Sequence, residues 1–449
     1  MSEGTFGTAR RHNAREKKAY RDEYQRDRDR VLYSSAFRRL AGVAQVAAVN
    51  EQLVLHNRLT HSLKVAQMGR RLVQHLRYQS GDAGFPEGSD LNEDVVETAG
   101  LVHDIGHPPF GHIAEEVLGQ RLTQVSGLEG FEGNAQSFRV VTKLARRKME
   151  HAGLNLTRAT LNAILKYPRL KPCGSCETTA LWTDRGYGDK WGAYQAERDD
   201  FAWVRENSRG ELRSANAVLM YWADDISYAT HDIEDYFRAG LIPLHGLTVD
   251  KEHIVKHGLR RLKEHKGFDE TRFRNELDTV IDEFGEHLHS QFWETRRNRV
   301  QMNKITSGHL TRFVKAVRLL DGPPYVEVDQ DSQYRVAALK ELTWFYVIDR
   351  PPLAIHQEGQ KRIIGSLFDR LIACLEKSPK SPKIPIQLRV IYRDIAHDEA
   401  KGTFEKNKEA RCARAVTDYI CLLTEAQAVD LGKRLGGRSQ SSMFGTWFN

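Results

Sequence analysis

Five titratable side chains fall within thirteen residues: His103, Asp104, His107, His112 and Glu115, set among Gly106, Pro108, Pro109 and Gly111 in LVHDIGHPPFGHIAEE. Imidazole and carboxylate together form a donor set for divalent Mg, Mn, Fe, Co, Ni or Zn. Adjacent helical residues do not face the same way, so His103 and Asp104 can meet on one ion only where a helix ends. As a lone dipeptide the pair is ordinary, a buried histidine capped by a carboxylate. The density around it is not ordinary, because packing so many ionisable groups beside an apolar run is costly unless something organises them. If helix resumes at 112, His112 and Glu115 share a face at i, i+3. A carboxylate beside an imidazole raises its basicity, as general acid–base work requires.

Two further groupings suit the same chemistry. Arg58 and His61, in NRLTHSLKV, are i, i+3 neighbours, which sets a metal-ligand type beside a guanidinium suited to phosphate. Taken alone, the pair is better explained as a polar helix face turned to water. Asp224, Tyr228 and Asp232, in ADDISYATHD, recur at i, i+4, i+8 and form one stripe, with Trp222, Ile226 and Ala229 making the surroundings half apolar. The sequence holds no G-x-S-x-G elbow, no G-x-x-x-x-G-K-[ST] phosphate loop and no G-x-G-x-x-G. What is left is metal-assisted attack of water on phosphorus.

The elements that must position these groups read as helices. Residues 53–77 carry apolar side chains at Leu59, Leu63, Ala66, Val73 and Leu76, an amphipathic spacing. Asn92 is a candidate N-cap for the apolar helix that Gly106, Pro108 and Pro109 must end. Helix is expected again over 112–122, 134–150, 157–167, 211–238, 250–300 and 409–435, with 168–200 irregular and KSPKSPKIP at 377–385 linker-like. No sustained strand-type alternation or repeat occurs. The fold class expected is all-α.

Of 449 residues, 40% are hydrophobic and 28% charged, in the range of globular proteins. No run is long and apolar enough for a signal or a membrane span, so a cytoplasmic protein without membrane contact is expected. Five scattered cysteines, with one isolated Cys173-x-x-Cys176 pair, argue against a disulfide framework and supply only half of a zinc site, so a surface loop is the reading preferred for that pair. The formal charge of +7 favours anionic partners such as nucleotides or nucleic acid.

The wording around these residues is more specific than their spacing. SSAFRRLAGVAQV, NRLTHSLKVAQMGR, HDIGHPPFGHIAEE, FEGNAQSFRVVTKL, LNLTRATLNAILKYP, KWGAYQAE and ADDISYATHDIED together resemble the deoxyguanosine triphosphate triphosphohydrolase family of HD-domain phosphohydrolases, over about residues 30–240. The resemblance implies an HD-domain helical core at 31–240 and additional C-terminal helices over 241–449 that complete the pocket and make oligomer contacts, while the charge density of residues 1–30 reads as a charged N-terminal arm or an exposed helix. The resemblance also implies hydrolysis of deoxynucleoside triphosphates, dGTP or several of them, to deoxynucleoside and inorganic triphosphate. His61, His103, Asp104 and Asp224 would ligate a divalent metal, with Asp225 competing for the fourth place. His112 and Glu115 would be the acid–base pair, with His107 close to the phosphates. Gln45, Tyr228 and Asp232 would meet sugar and base. Arg58, Asn134, Lys166 and Lys190 would face the triphosphate or its surroundings. Gly133 departs from the family, where histidine is frequent, and the CGSC segment interrupts the approach to Lys190. A homo-oligomer, a hexamer among the forms, is implied too. The alternatives are another HD phosphohydrolase acting on nucleoside monophosphates or cyclic nucleotides, and a single-stranded DNA binder.

Overall fold

Among the described residues of the N-terminal segment, Arg26, Asp27 and Arg30 are turned inward. The computed structural model describes residues 7–12, 20–45, 55–125, 128–171, 190–265, 267–288, 295–400 and 407–437; the Cys173–Cys176 pair lies outside them. Helices α1 (Glu23–Leu32) and α2 (Ser35–Arg39) occupy the stretch expected in part as an arm. Asp27 is fully buried, pairs with Arg10 at 2.5 Å and accepts from the Thr157 N–H and hydroxyl at 2.8 and 2.7 Å. These bonds replace the water that a buried carboxylate loses. A stretch rich in both signs therefore docks instead of trailing in solvent.

The helices that carry the chemistry begin at well-formed caps. Asn57 and Thr60 form a capping box for α3 (Arg58–Ser80). Its buried face is Arg58, His61, Val65, Ala66, Leu72, Val73 and Leu76, whereas Leu63, expected on that face, is 46% exposed. Asn92 accepts from the Asp94 and Val95 N–H groups and caps α4 (Glu93–Val102), as expected. Next come α5 (His112–Thr123), α6 (Gly133–Arg139) with a π turn after it, α7 (Arg158–Ile164), α8 (Arg198–Arg205) and α9 (Ala215–Arg238). Helix α4 is buried almost all round because α1, α3, α7 and α9 each pack against it.

The second half is helical as well: α10 (Leu247–Leu262), α11 (Glu270–His287), α12 (Arg296–Lys315), α13 (Gln330–Thr343), α14 (Pro351–Lys377), α15 (Ile386–Ala400), α16 (Lys408–Ile420) and α17 (Glu425–Leu435). A short antiparallel pair, β1 (Val317–Leu319) with β2 (Val326–Val328), sits between α12 and α13. Strands of three residues are too short to show an alternation in sequence. The stretch 377–385 is a turn joining α14 to α15, with Ile384 buried, and not a spacer between independent parts. The single helix expected over 409–435 is two, because Thr424 and Gln427 form a new capping box.

Two hydrophobic clusters organise the described residues. The larger joins α3, α4 and α9 to α10–α13. The smaller packs Ala114, Val117, Leu118 and Leu122 of α5 against α14 and α16, through residues such as Ile364, Leu367, Val416 and Ile420. The two halves are also tied by buried charge. Arg139 donates to Asp418 at 2.7–3.0 Å and pairs with Glu197, while Gln136 donates to Asp418 at 2.9 Å. Removing the guanidinium would leave two carboxylates buried and uncompensated. Arg139→Ala is therefore expected to lower stability by about 3–5 kcal/mol, read as a shift of the guanidinium chloride unfolding midpoint. A shift near zero would show that this network holds nothing together.

Candidate functional site

Helix α4 stops at Val102 with His103 as its C-cap, so the dyad lies where the helix ends. The turn that follows is fixed from α6. The Ser137 hydroxyl accepts from the Gly106 N–H at 3.0 Å and donates to the His103 carbonyl at 2.9 Å. A Cβ on Gly106 would lie 2.1 Å from the Ser137 nitrogen, so this close approach requires glycine. Arg39, buried, donates to the carbonyls of Ile105 and His107 at 3.1 and 2.6 Å and to that of Leu423 at 2.8 Å.

Around the dyad, three helices converge. His61 Nε2 on α3 lies 3.1 Å from Asp224 Oδ1 on α9. His103 Nε2 lies 3.5 Å from both Asp224 Oδ1 and Asp104 Oδ1. Donor atoms of His61, His103 and Asp224 fall within 4.8 Å of one another, a group able to hold a metal ion. His103 Nδ1 donates to the Gly100 carbonyl at 2.7 Å, which leaves Nε2 with its lone pair, buried and without a hydrogen-bond partner of normal geometry. Asp225 turns the other way, to Lys340 Nζ on α13 at 2.5 Å. Neighbours on a helix diverge, and Asp224 is the one in the cluster.

Both carboxylates of this region are held ionised, while burial pushes the His61 imidazole down. Burial alone would push the Asp104 carboxyl up, but Arg58, bonded to it at 2.7 Å, and then the neighbouring histidines hold it well below the usual range. Asp224 is held down likewise, against burial, by Lys166 at 2.8 Å and then His103. Burial opposes protonation of His103, yet Asp104 and Asp224 raise its affinity for a proton, and they would draw a metal ion in the same way.

A second group adjoins the first through Asp104. His107 Nδ1 is 3.4 Å from Asp104 Oδ1, its Nε2 is 3.1 Å from Glu115 Oε1, and Glu115 Oε2 is 3.2 Å from His112 Nδ1. Burial, followed by Arg58, drives the His107 imidazolium down to about 3, so His107 is neutral at physiological pH. The Glu115 carboxyl is held down in spite of burial by His107 and then His112. The His112 side chain is 71% exposed, so the chain of contacts runs from a buried centre to solvent.

The remaining expected residues fall into three places. Tyr228 and Asp232 lie one and two turns along α9 from Asp224 and hydrogen-bond each other. Burial and then Asp235 push the Asp232 carboxyl up to about 8, and its Oδ2 has no hydrogen-bond partner among the described residues. Asn134 donates to Glu132, and Lys190 Nζ is 3.7 Å from the same carboxylate. Gln45 is half-buried, with Oε1 buried and without a partner among the described residues. Arg58 and Lys166, expected at the triphosphate, are bonded to Asp104 and Asp224. Sequence reading missed Glu132, although a Glu-Gly-Asn start to α6 hints at an N-cap. It also missed Lys340, whose Nζ lies 5.1 Å from the Tyr228 ring, and Glu425, which accepts from the N–H groups of Ala44 and Phe110 at 2.9 and 3.3 Å. No local signal could have found the last two.

No helix among the described residues is long and apolar enough to cross a membrane. The sequence model of the HD domain matches residues 58–229, and that of the phosphohydrolase-associated domain matches 326–434. A deoxyguanosinetriphosphate triphosphohydrolase-like protein of Streptomyces coelicolor is 32% identical, over 94% of this chain and 94% of its own. Proteins of the same description from Corynebacterium efficiens and Vibrio campbellii are 31% and 29% identical, each over 93% of this chain and over 92% and 93% of their own. At this identity and coverage, and with the HD-domain match, the chain belongs to the deoxyguanosine triphosphate triphosphohydrolase family of HD-domain phosphohydrolases.

Proposed function

We propose that this phosphohydrolase converts deoxynucleoside triphosphates, dGTP or several of them, to the deoxynucleoside and inorganic triphosphate, using a divalent metal held by His61, His103, Asp104 and Asp224. The observation that carries the reading is the contact of the two groups through Asp104, 3.5 Å from His103 on one side and 3.4 Å from His107 on the other. Such a junction sets a metal-type donor set next to a proton-transfer group. Charge balance supports a polyphosphate. Asp104 and Asp224 are each matched by a cation, Arg58 and Lys166, so a divalent ion would leave a surplus of positive charge for the substrate to offset. A metal bound there supplies Lewis-acid stabilisation of the phosphoryl oxygens.

The chain's own groups do the rest. Glu115 accepts from His112 Nδ1–H, which fixes the tautomer and leaves Nε2 as the base. His112 takes a proton from water as the water oxygen bonds to the α-phosphorus. The bond between that phosphorus and O5′ breaks, its electron pair goes to O5′, and a proton returns there to give the neutral deoxynucleoside. Triphosphate leaves whole. Lys190 and Lys166 offset the charge of the leaving chain. His107, neutral and buried, donates an N–H to a phosphate oxygen. Tyr228 packs under the sugar, where a 2′-hydroxyl would crowd it, and the Asp232 carboxyl, protonated below about pH 8, meets the 3′-hydroxyl. Gln45 and Asn134 complete the surroundings of the sugar and the triphosphate.

Incubation with each deoxynucleotide and Mn²⁺ or Mg²⁺, with products resolved by ion chromatography, is expected to yield triphosphate. Release of pyrophosphate or of single phosphate would overturn the triphosphohydrolase reading. His112→Ala is expected to lower turnover about 10²–10⁴-fold, with the ion at the four-residue cluster retained; turnover like that of the wild type would remove His112 from the mechanism. Asp232 gives a pH prediction. Its folded-state pKa of about 8 lies above the ordinary 3.8, so folding favours the protonated form. The resulting stability is complete below the ordinary value and is lost as pH rises through about 8. Thermal melts from about pH 5 to about pH 8 should fall more steeply for the wild type than for Asp232→Asn. Parallel curves would contradict the protonated carboxyl.

A further inference from the structure

The His107–Glu115–His112 group has the ligand spacing of a metal site in its own right. Tetrahedral coordination with bonds of about 2.0–2.1 Å sets ligand atoms about 3.3 Å apart. His107 Nε2 lies 3.1 Å from Glu115 Oε1 and His112 Nδ1 lies 3.2 Å from Glu115 Oε2, so one imidazole faces each oxygen of the carboxylate, whereas in the first cluster both His61 and His103 face Asp224 Oδ1, at 3.1 and 3.5 Å. Donor atoms of all three residues lie within 4.8 Å of one another. Glu115 Oε1 is buried without a hydrogen-bond partner of normal geometry. The outer support is present too. A histidine that ligates through Nε2 characteristically donates its other N–H to a carboxylate, and His107 Nδ1 faces Asp104 Oδ1 at 3.4 Å. Gly133 leaves the donors uncovered on one side, since a Cβ there would lie 2.7 Å from Glu115 Oε1 and 3.1 Å from His107 Nε2.

We propose that His107, His112 and Glu115 form a second divalent-cation site, selective for zinc-like ions over magnesium, whose occupation inhibits the enzyme. Two imidazoles and one carboxylate suit Zn²⁺, whereas Mg²⁺ demands an octahedron of oxygens. A cation bound there takes the Glu115 oxygens and His112 Nδ1, and so removes the Nδ1–H to Glu115 contact that sets the tautomer of the proposed base. The binding stands on geometry alone; the inhibition rests on His112 and Glu115 being the proton-transfer pair proposed above.

Protein stripped with a chelator and brought to equilibrium by dialysis against Zn²⁺ or Mg²⁺, then counted by mass spectrometry, tests the site. The wild type should hold one more zinc per chain than His112→Ala, and the two should hold equal magnesium. His112 is exposed, so its removal leaves the fold intact. Equal zinc counts would overturn the site whatever ester the enzyme hydrolyses. Addition of zinc to the magnesium- or manganese-supported reaction should abolish turnover, and a chelator should restore it. An extra zinc that leaves turnover unchanged would overturn the inhibition while sparing the site.

Discussion

The Asp104 carboxylate is 5% exposed and yet ionised, because Arg58 bonds one oxygen while His103 and His107 face the other. A buried charge persists only where it is paired and hydrogen-bonded. The pairing demand shapes the surroundings. It brings Arg58 from the first turn of α3, sets the dyad at the end of α4, and orders the His107 turn between the two groups. Asp224 meets the same demand on α9 with Lys166 and His61. Each cluster is thus defined by a carboxylate that the fold must compensate.

The helix that carries His112 and Glu115 is anchored apart from the dyad. Helix α5, which opens with His112 and carries Glu115, packs into the smaller hydrophobic cluster with α14 and α16. The dyad belongs to the larger cluster, through Val102 and Ile105. Relative placement of the two groups therefore depends on what joins the clusters. Arg39 bonds the carbonyls of Ile105, His107 and Leu423, Glu425 holds the N–H groups of Ala44 and Phe110, and Arg139 meets Asp418. The second half of the chain braces the turn from which His112 emerges, through Leu423 and Glu425.

What was legible in sequence was what short-range geometry dictates. Asn57 and Asn92 cap their helices, the prolines end the dyad turn, His112 and Glu115 share a face, and Asp224, Tyr228 and Asp232 form a stripe because helical spacing requires it. The wording of the motifs supplied the rest of the expected set. Contacts made across the chain were not legible. Glu425 meets Ala44 across 381 residues, and Lys340 meets Asp225 across 115. The inward charges of α1 were misread for the same reason: Asp27 is satisfied by Thr157, 130 residues away. Leu63 shows a further limit, since a helix with polar residues on its buried face, Arg58 and His61, does not rotate as apolar spacing alone suggests.

The central claim is that the buried carboxylates exist to hold one divalent ion beside the proton-transfer group. Anomalous diffraction at the manganese edge, on crystals grown with Mn²⁺, tests it most directly. The account predicts a peak within bonding distance of His61, His103, Asp104 and Asp224, with Asp225 still on Lys340. A manganese peak elsewhere with none at these four residues, or one bound through Asp225, would contradict it.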